Sequence, residues 1–227
     1  MSVTIFRPAR PHPRRVPATL GLLLAGLIGL SACSDPEKTG RYLIDPPPSQ
    51  ARVPNRLGSA ELKDVSLPEY ASDQEVAYQT ADGAVRSTPD NLWADDPQRA
   101  FTVALAREIS DVSGATVIGE PWPLAEPPQR RLEVRVERAL AQADNVYRLQ
   151  GRYYVSDDSL GGGTNHARSF DISVPMGDAT PATIARALSL AIGVLAQQIA
   201  TLSGPGNTIA TRSGGGARGD FGLDALF

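Results

Sequence analysis

The chain has 227 residues, 41% of them hydrophobic and 21% charged, enough to bury one core of ordinary size. The formal net charge is −3, and the first 32 residues hold four of the 22 Lys+Arg and none of the 25 Asp+Glu, so the remainder is net −7, with 18 bases against 25 acids. That balance excludes a nucleic-acid-binding footprint, and a single cysteine excludes a disulfide framework.

Arg7, Arg10, Arg14 and Arg15 precede an apolar run from Ala18 to Leu30, the n-region and h-region of an export signal. Its thirteen residues cover roughly 20 Å as a helix, too short to span a bilayer comfortably. Leu30-Ser31-Ala32-Cys33 follows and reads as a lipobox, with cleavage before Cys33 and diacylation of its thiol. Val16-Pro17 after the arginine pair argues against twin-arginine export. Ser34, not aspartate, follows the cysteine, which favours the periplasmic face of the outer membrane over retention at the inner membrane. Several acyl chains give firm anchoring where one alone is marginal. Residues 33–40 are then a lipidated tether, 41–203 the domain and 204–227 a disordered glycine-rich tail, whose Phe221 and Phe227 could dock on a partner. No second hydrophobic stretch is expected to span a membrane.

Within the domain, Arg41 to Ile44 reads as a strand stopped by Pro46-Pro47-Pro48, and Ala60 to Leu67 as a second. Glu75 to Thr80 and Ala84 to Thr88 flank Ala81-Asp82-Gly83 as a hairpin. The first helix is capped by Asp95 or Asp96, starts at Pro97, repeats through Phe101, Leu105, Ile109 and Val112, and ends at Gly114. Glu108 is the polar exception on that stripe, and Arg107 is expected to point elsewhere. Ala115 to Gly119 reads as a short buried strand, and the proline-rich 121–128 as a loop around Trp122. Leu132, Val134 and Val136 alternate with charged residues, as do Tyr147, Leu149, Gly151, Tyr153 and Val155 with polar ones. These runs should pair antiparallel, and the second should pair with Ser169 to Val174 across a loop from Asp157 to Ala167. Thr180 and Pro181 begin a helix whose Ile184, Leu188, Ile192, Leu195, Ile199 and Leu202 form one stripe, stopped by Gly204-Pro205. Core packing is the favoured reading of the stripe, with a homo-oligomer seam as the alternative. The order predicts an α+β domain with two main helices on one face of a largely antiparallel sheet.

Chemistry is sparse. There is no Gly-x-Ser-x-Gly elbow, and His166 is the one histidine beyond the signal, read as a solvated residue of a glycine-rich loop. Asp157-Asp158 is half a cation site without further carboxylates. No catalytic residue, metal or cofactor is expected, and the chain is not read as an enzyme.

Four features carry a resemblance: Tyr42-Leu43 soon after Cys33, Val65-Ser66-Leu67-Pro68-Glu69-Tyr70, Asn91-Leu92-Trp93-Ala94 before the first helix, and the alanine-rich Ile184 to Leu202. In this order and spacing, over roughly Arg41 to Leu202, the chain resembles the PqiC-like auxiliary lipoproteins of ABC-type intermembrane transport. It departs at Leu92, where the family usually has arginine, and at Asp95-Asp96-Pro97, where Glu-Pro is common. The resemblance implies a non-catalytic outer-membrane lipoprotein that receives a periplasmic MCE-domain protein bridging from an inner-membrane ABC transporter, with phospholipid as cargo. Leu67, Pro68, Tyr70 and Trp93 are then candidates for partner contact, although a strand end, a turn and a core aromatic account for them structurally. The alternative function is an envelope-assembly or pilot lipoprotein for an outer-membrane pore.

Overall fold

The computed structural model describes residues 38–50, 52–157 and 163–210. Contacts divide the chain between Lys38 and Thr39, and the architecture below is that of the second unit. The signal peptide, Cys33 and residues 211–227 lie outside the described residues.

Three long strands, β7 (Arg130–Ala141), β8 (Val146–Asp157) and β9 (Thr164–Pro175), form an antiparallel meander. Their alternation sends Leu132, Val134, Leu149, Tyr153, Phe170 and Ile172 to one buried face. A register shift between Val136 and Arg138 moves the buried set from even to odd positions, so that Ala139 and Ala141 stay inside. The opposite face carries Glu133, Arg135, Arg152 and Tyr154; Arg135 donates to Glu133 at 2.6 Å and lies 5.3 Å from the Tyr154 ring. Such surface pairs add little stability.

The sheet is mixed at its other end. Strand β2 (Ser59–Leu62) runs parallel to both β7 and the edge strand β6 (Thr116–Gly119). Of β6 only Val117 is buried, so the expected buried strand is an edge. The hairpin of β3 (Tyr78–Gln79) and β4 (Val85–Arg86) touches β7 at Ala141, and a separate parallel pair joins β1 (Gly40–Tyr42) to β5 (Asn91–Trp93).

A four-residue helix, α1 (Glu69–Ser72), precedes the hairpin. Helix α2 (Pro97–Ser113) begins where Asp96 accepts the Arg99 N–H at 2.8 Å and ends at Gly114 with φ 69°. Helix α3 (Pro181–Thr201) starts at the Thr180 cap and ends two residues before Gly204, at Leu202, which takes the left-handed conformation. α2 rests on β6, α3 rests on β8 and β9, and the two helices pack against each other. The fold is therefore α+β. Contrary to expectation, α3 is long and apolar enough to cross a membrane by length and composition, but its stripe from Ile184 to Ile199 is buried in the domain core.

Two expectations about the C-terminal third are corrected. Gly206–Ala210 is not tail but a strand, β10, paired antiparallel with β9. Its glycine is a device for close approach: Gly206 has φ 145°, and a Cβ there would meet the Ala167 carbonyl oxygen. His166 is not in a loop, because β9 begins at Thr164; it is half-buried and pairs with Val155 and Thr208 on either side. Burial, then the charges of Arg168 and Arg130, push its pKa down, so the ring is neutral at pH 7.

Gly151 lies opposite both Val136 and Phe170 at the middle of the meander. A Cβ there would come within 2.8 Å of Phe170 Cζ and 3.0 Å of Val136 Cα, and would also strike the Arg135 carbonyl. Gly151→Ala is therefore expected to lose about 1–3 kcal/mol through overpacking. Thermal denaturation should show Tm lower by roughly 3–10 °C, and an unchanged Tm would show that the Phe170 ring does not close over this glycine.

Candidate functional site

After β1 the chain is laid as a strap in the groove between α2 and α3. The Asp45 N–H donates to Ser189 Oγ at 3.0 Å, and Arg107 reaches across from α2 to Asp45 Oδ1 at 3.0 Å and the Pro46 carbonyl at 3.3 Å. Further along, Gln197 of α3 donates to Ser49, and the Val53 N–H to the Val112 carbonyl. The strap thus runs from Ser189 of α3 and Arg107 of α2 towards the C-terminal ends of both helices. Pro46 is buried beneath this network and Ile44 is half-buried.

Under the start of the strap lies a small apolar recess of about 20 Å³, room for little more than one water. Ile44, Leu67, Tyr70, Trp93, Phe101 and Tyr147 line it, with Ile184 and Leu188 from α3. Three of the four candidate contact residues therefore line one recess, although they come from two separate segments. Pro68 does not line it. Its carbonyl accepts the N–H groups of Ala71 and Ser72, so Pro68 opens the single turn of α1 that points Tyr70 inward.

Tyr70 has a clear local task. β7 pairs with Ser66 at Arg135 and with Tyr78 at Ala141, which leaves the Ala139 N–H on that side without a strand. The Tyr70 hydroxyl accepts it at 3.3 Å. Beside it, burial and then the nearby Tyr70 hydroxyl push the Tyr147 phenol far up, so that ring is neutral. Trp93 is 5% exposed and is held by backbone bonds on both sides: its N–H donates to Gln74, and the Ala94 N–H to Tyr42. Leu92, where the family's arginine would stand, pairs with Arg41 in the β1–β5 register and bridges to Glu75.

The expectation that Arg107 points away from Glu108 is corrected: its Nη2 is 3.5 Å from Glu108 Oε1 and closer still to Asp45. Glu108 is 1% exposed, and its Oε2 has no hydrogen-bond partner. Burial raises its pKa above the ordinary value, opposed by Arg107 and reinforced by Asp111 and Asp45. A carboxyl whose folded pKa is raised stabilises below its unfolded pKa, and that contribution is lost as pH rises through the folded value. Glu108→Gln should therefore raise Tm by roughly 2–4 °C at pH 7, about 1 kcal/mol, since the charge costs more than its long contact to Arg107 returns. The advantage should shrink towards pH 4. A lower Tm at neutral pH would mean that the Arg107 pair outweighs desolvation.

The recess offers apolar surface and two phenols, with no nucleophile and base in contact. Among the described residues no three His, Cys, Asp or Glu side chains gather as a metal site. Asp158 lies outside the described residues. The strap and its Asp45–Arg107 tie were not legible, because nothing in a proline-rich segment marks which groove it will fill.

The ABC-type transport auxiliary lipoprotein component family matches residues 42–200, most of the chain and the whole of the core, and the chain belongs to that family. An uncharacterized protein of known crystal structure shares 18% identity, with a TM-score of 0.55 covering 68% of this chain and 98% of that one. A DUF330-family crystal structure from Xanthomonas campestris shares 12% identity over 71% of this chain and 90% of that one, with a TM-score of 0.49. The first likeness supports the fold alone. No curated protein matches the sequence. Family membership makes the chain an auxiliary lipoprotein of ABC-type transport, which agrees with the lipobox at Cys33.

Proposed function

We propose that this chain is a non-catalytic, lipid-anchored component of an ABC/MCE-type system that moves phospholipid between membranes, docking the periplasmic MCE-domain protein at the outer membrane. The family match over residues 42–200 carries the reading. Two features support its details. Ser34 after the lipobox cysteine suits outer-membrane delivery, and the apolar recess that Leu67, Tyr70 and Trp93 line sets no nucleophile beside a base. The inner-membrane ABC transporter is then a partner at one remove.

The test is purification of the chain from gently solubilised envelopes at native abundance. An MCE-domain protein is expected to co-purify, and Trp93→Ala or Tyr70→Ala should change its yield only as far as each variant loses fold. Recovery of a secretin or barrel protein in its place would move the chain to the pilot class and overturn the transport reading.

A further inference from the structure

We propose that the strap face is a second membrane contact: exposed Leu43 stands between a recess shared with Val103 of α2 and one shared with Leu190 of α3, Arg41 and Arg186, and this patch rests on anionic phospholipid headgroups. The inference rests on lipidation of Cys33 and goes beyond it, because an anchor alone does not orient a domain.

Two recesses flank Leu43, one shared with Val103 and Asp95 and the other with Arg41, Asp45, Arg186 and Leu190; both carboxylates are already paired, Asp95 with Arg99 and Asp45 with Arg107. Leu43 is 68% exposed and Val103 58%. Arg41 and Arg186 have no carboxylate partner among the described residues, while the chain as a whole is acidic. Exposed apolar side chains beside arginines free of carboxylate partners suit a surface that dips into an interface and meets phosphate.

Length decides which membrane-facing surface is in reach. Seven peptide steps from Cys33 to Gly40 extend at most about 25 Å, whereas a domain of this size is roughly 40 Å across. The chain joins the fold at β1, immediately before Leu43. The face where it joins is therefore held at the membrane, and the open sheet face on the far side is not. A second copy of this chain fits the patch less well, since a two-fold contact would bring arginines near arginines.

The test uses the mature lipidated protein reconstituted in vesicles of phosphatidylethanolamine with phosphatidylglycerol, and in vesicles of phosphatidylcholine alone. With Cys33 acylated, Val103→Cys or Asp171→Cys offers a single thiol for an environment-sensitive dye, Asp171 being exposed on the far face of β9. Quenching by headgroup-labelled lipid should be roughly threefold greater at Val103 than at Asp171, greater on the anionic vesicles, and reduced by Arg41→Gln/Arg186→Gln and by salt. Equal quenching at both positions in protein that still floats with vesicles overturns the proposal and leaves lipidation standing. Protein that does not float shows lipidation itself to be wrong, and the proposal falls with it. Shielding at Val103 that follows protein density and ignores lipid charge makes the face a contact between copies, which also overturns it.

Discussion

Leu195→Asp should leave no folded domain at ordinary temperature. Leu195 is fully buried on α3, amid the stripe that faces β8 and β9. An aspartate there loses the leucine's packing and buries a carboxylate in an apolar stripe, and each effect alone is worth several kcal/mol. Their sum, about 5 kcal/mol or more, meets or exceeds the whole stability of many domains. Val194→Asp is the internal control. One residue along the same helix, Val194 is 41% exposed, so the same charge there should shift stability by roughly 0.5 kcal/mol at most. Circular dichroism and thermal melts of both variants check the pair. A Leu195→Asp protein that melts normally yet loses self-association on a sizing column would turn the stripe from core into oligomer seam.

That helix also shows what a sequence can declare about itself. Thr180, Pro181 and the three- and four-residue spacing of Ile184 to Ile199 are local signals with local causes, and Asp96, Pro97 and Gly114 did the same for α2. The β7–β8–β9 meander was legible for a related reason, since alternation needs no knowledge of the partner strand. Signals failed where pairing is remote or short. Nothing in Ser59–Leu62 reveals that it runs parallel to both Thr116–Gly119 and the start of β7, because three or four residues carry no period. All five residues of β10 are exposed, so it has no buried set to alternate, and Gly204 and Gly206 read as tail. The recess fell between these cases: Leu67, Tyr70 and Trp93 were singled out one by one, but only the turn of α1 and the β1–β5 pair bring them together.

The other large effect concerns Cys33, the chain's single cysteine and the one group suited to carry acyl chains. Cys33→Ser removes the thiol, so no thioether to a diacylglycerol can form. The domain should fold as before, because the described core lies wholly beyond Thr39. Its product should be free in the periplasm or held by an uncleaved signal, and fractionation with an intact-mass measurement distinguishes these. Ser34→Asp keeps the lipid and changes the proposed sorting residue, so it should retain anchored protein on the inner membrane, away from the far end of the proposed bridging partner. Several buried acyl chains make dissociation slow compared with growth, so neither variant should leak back to the wild-type position. The decisive measurement is detergent sensitivity of cells whose only copy is Cys33→Ser at native abundance, with folding verified on the same protein. The account predicts sensitivity equal to that of cells lacking the chain, with Ser34→Asp close to it; a fully restored barrier from soluble Cys33→Ser protein would contradict a membrane-side receiver for a lipid conduit.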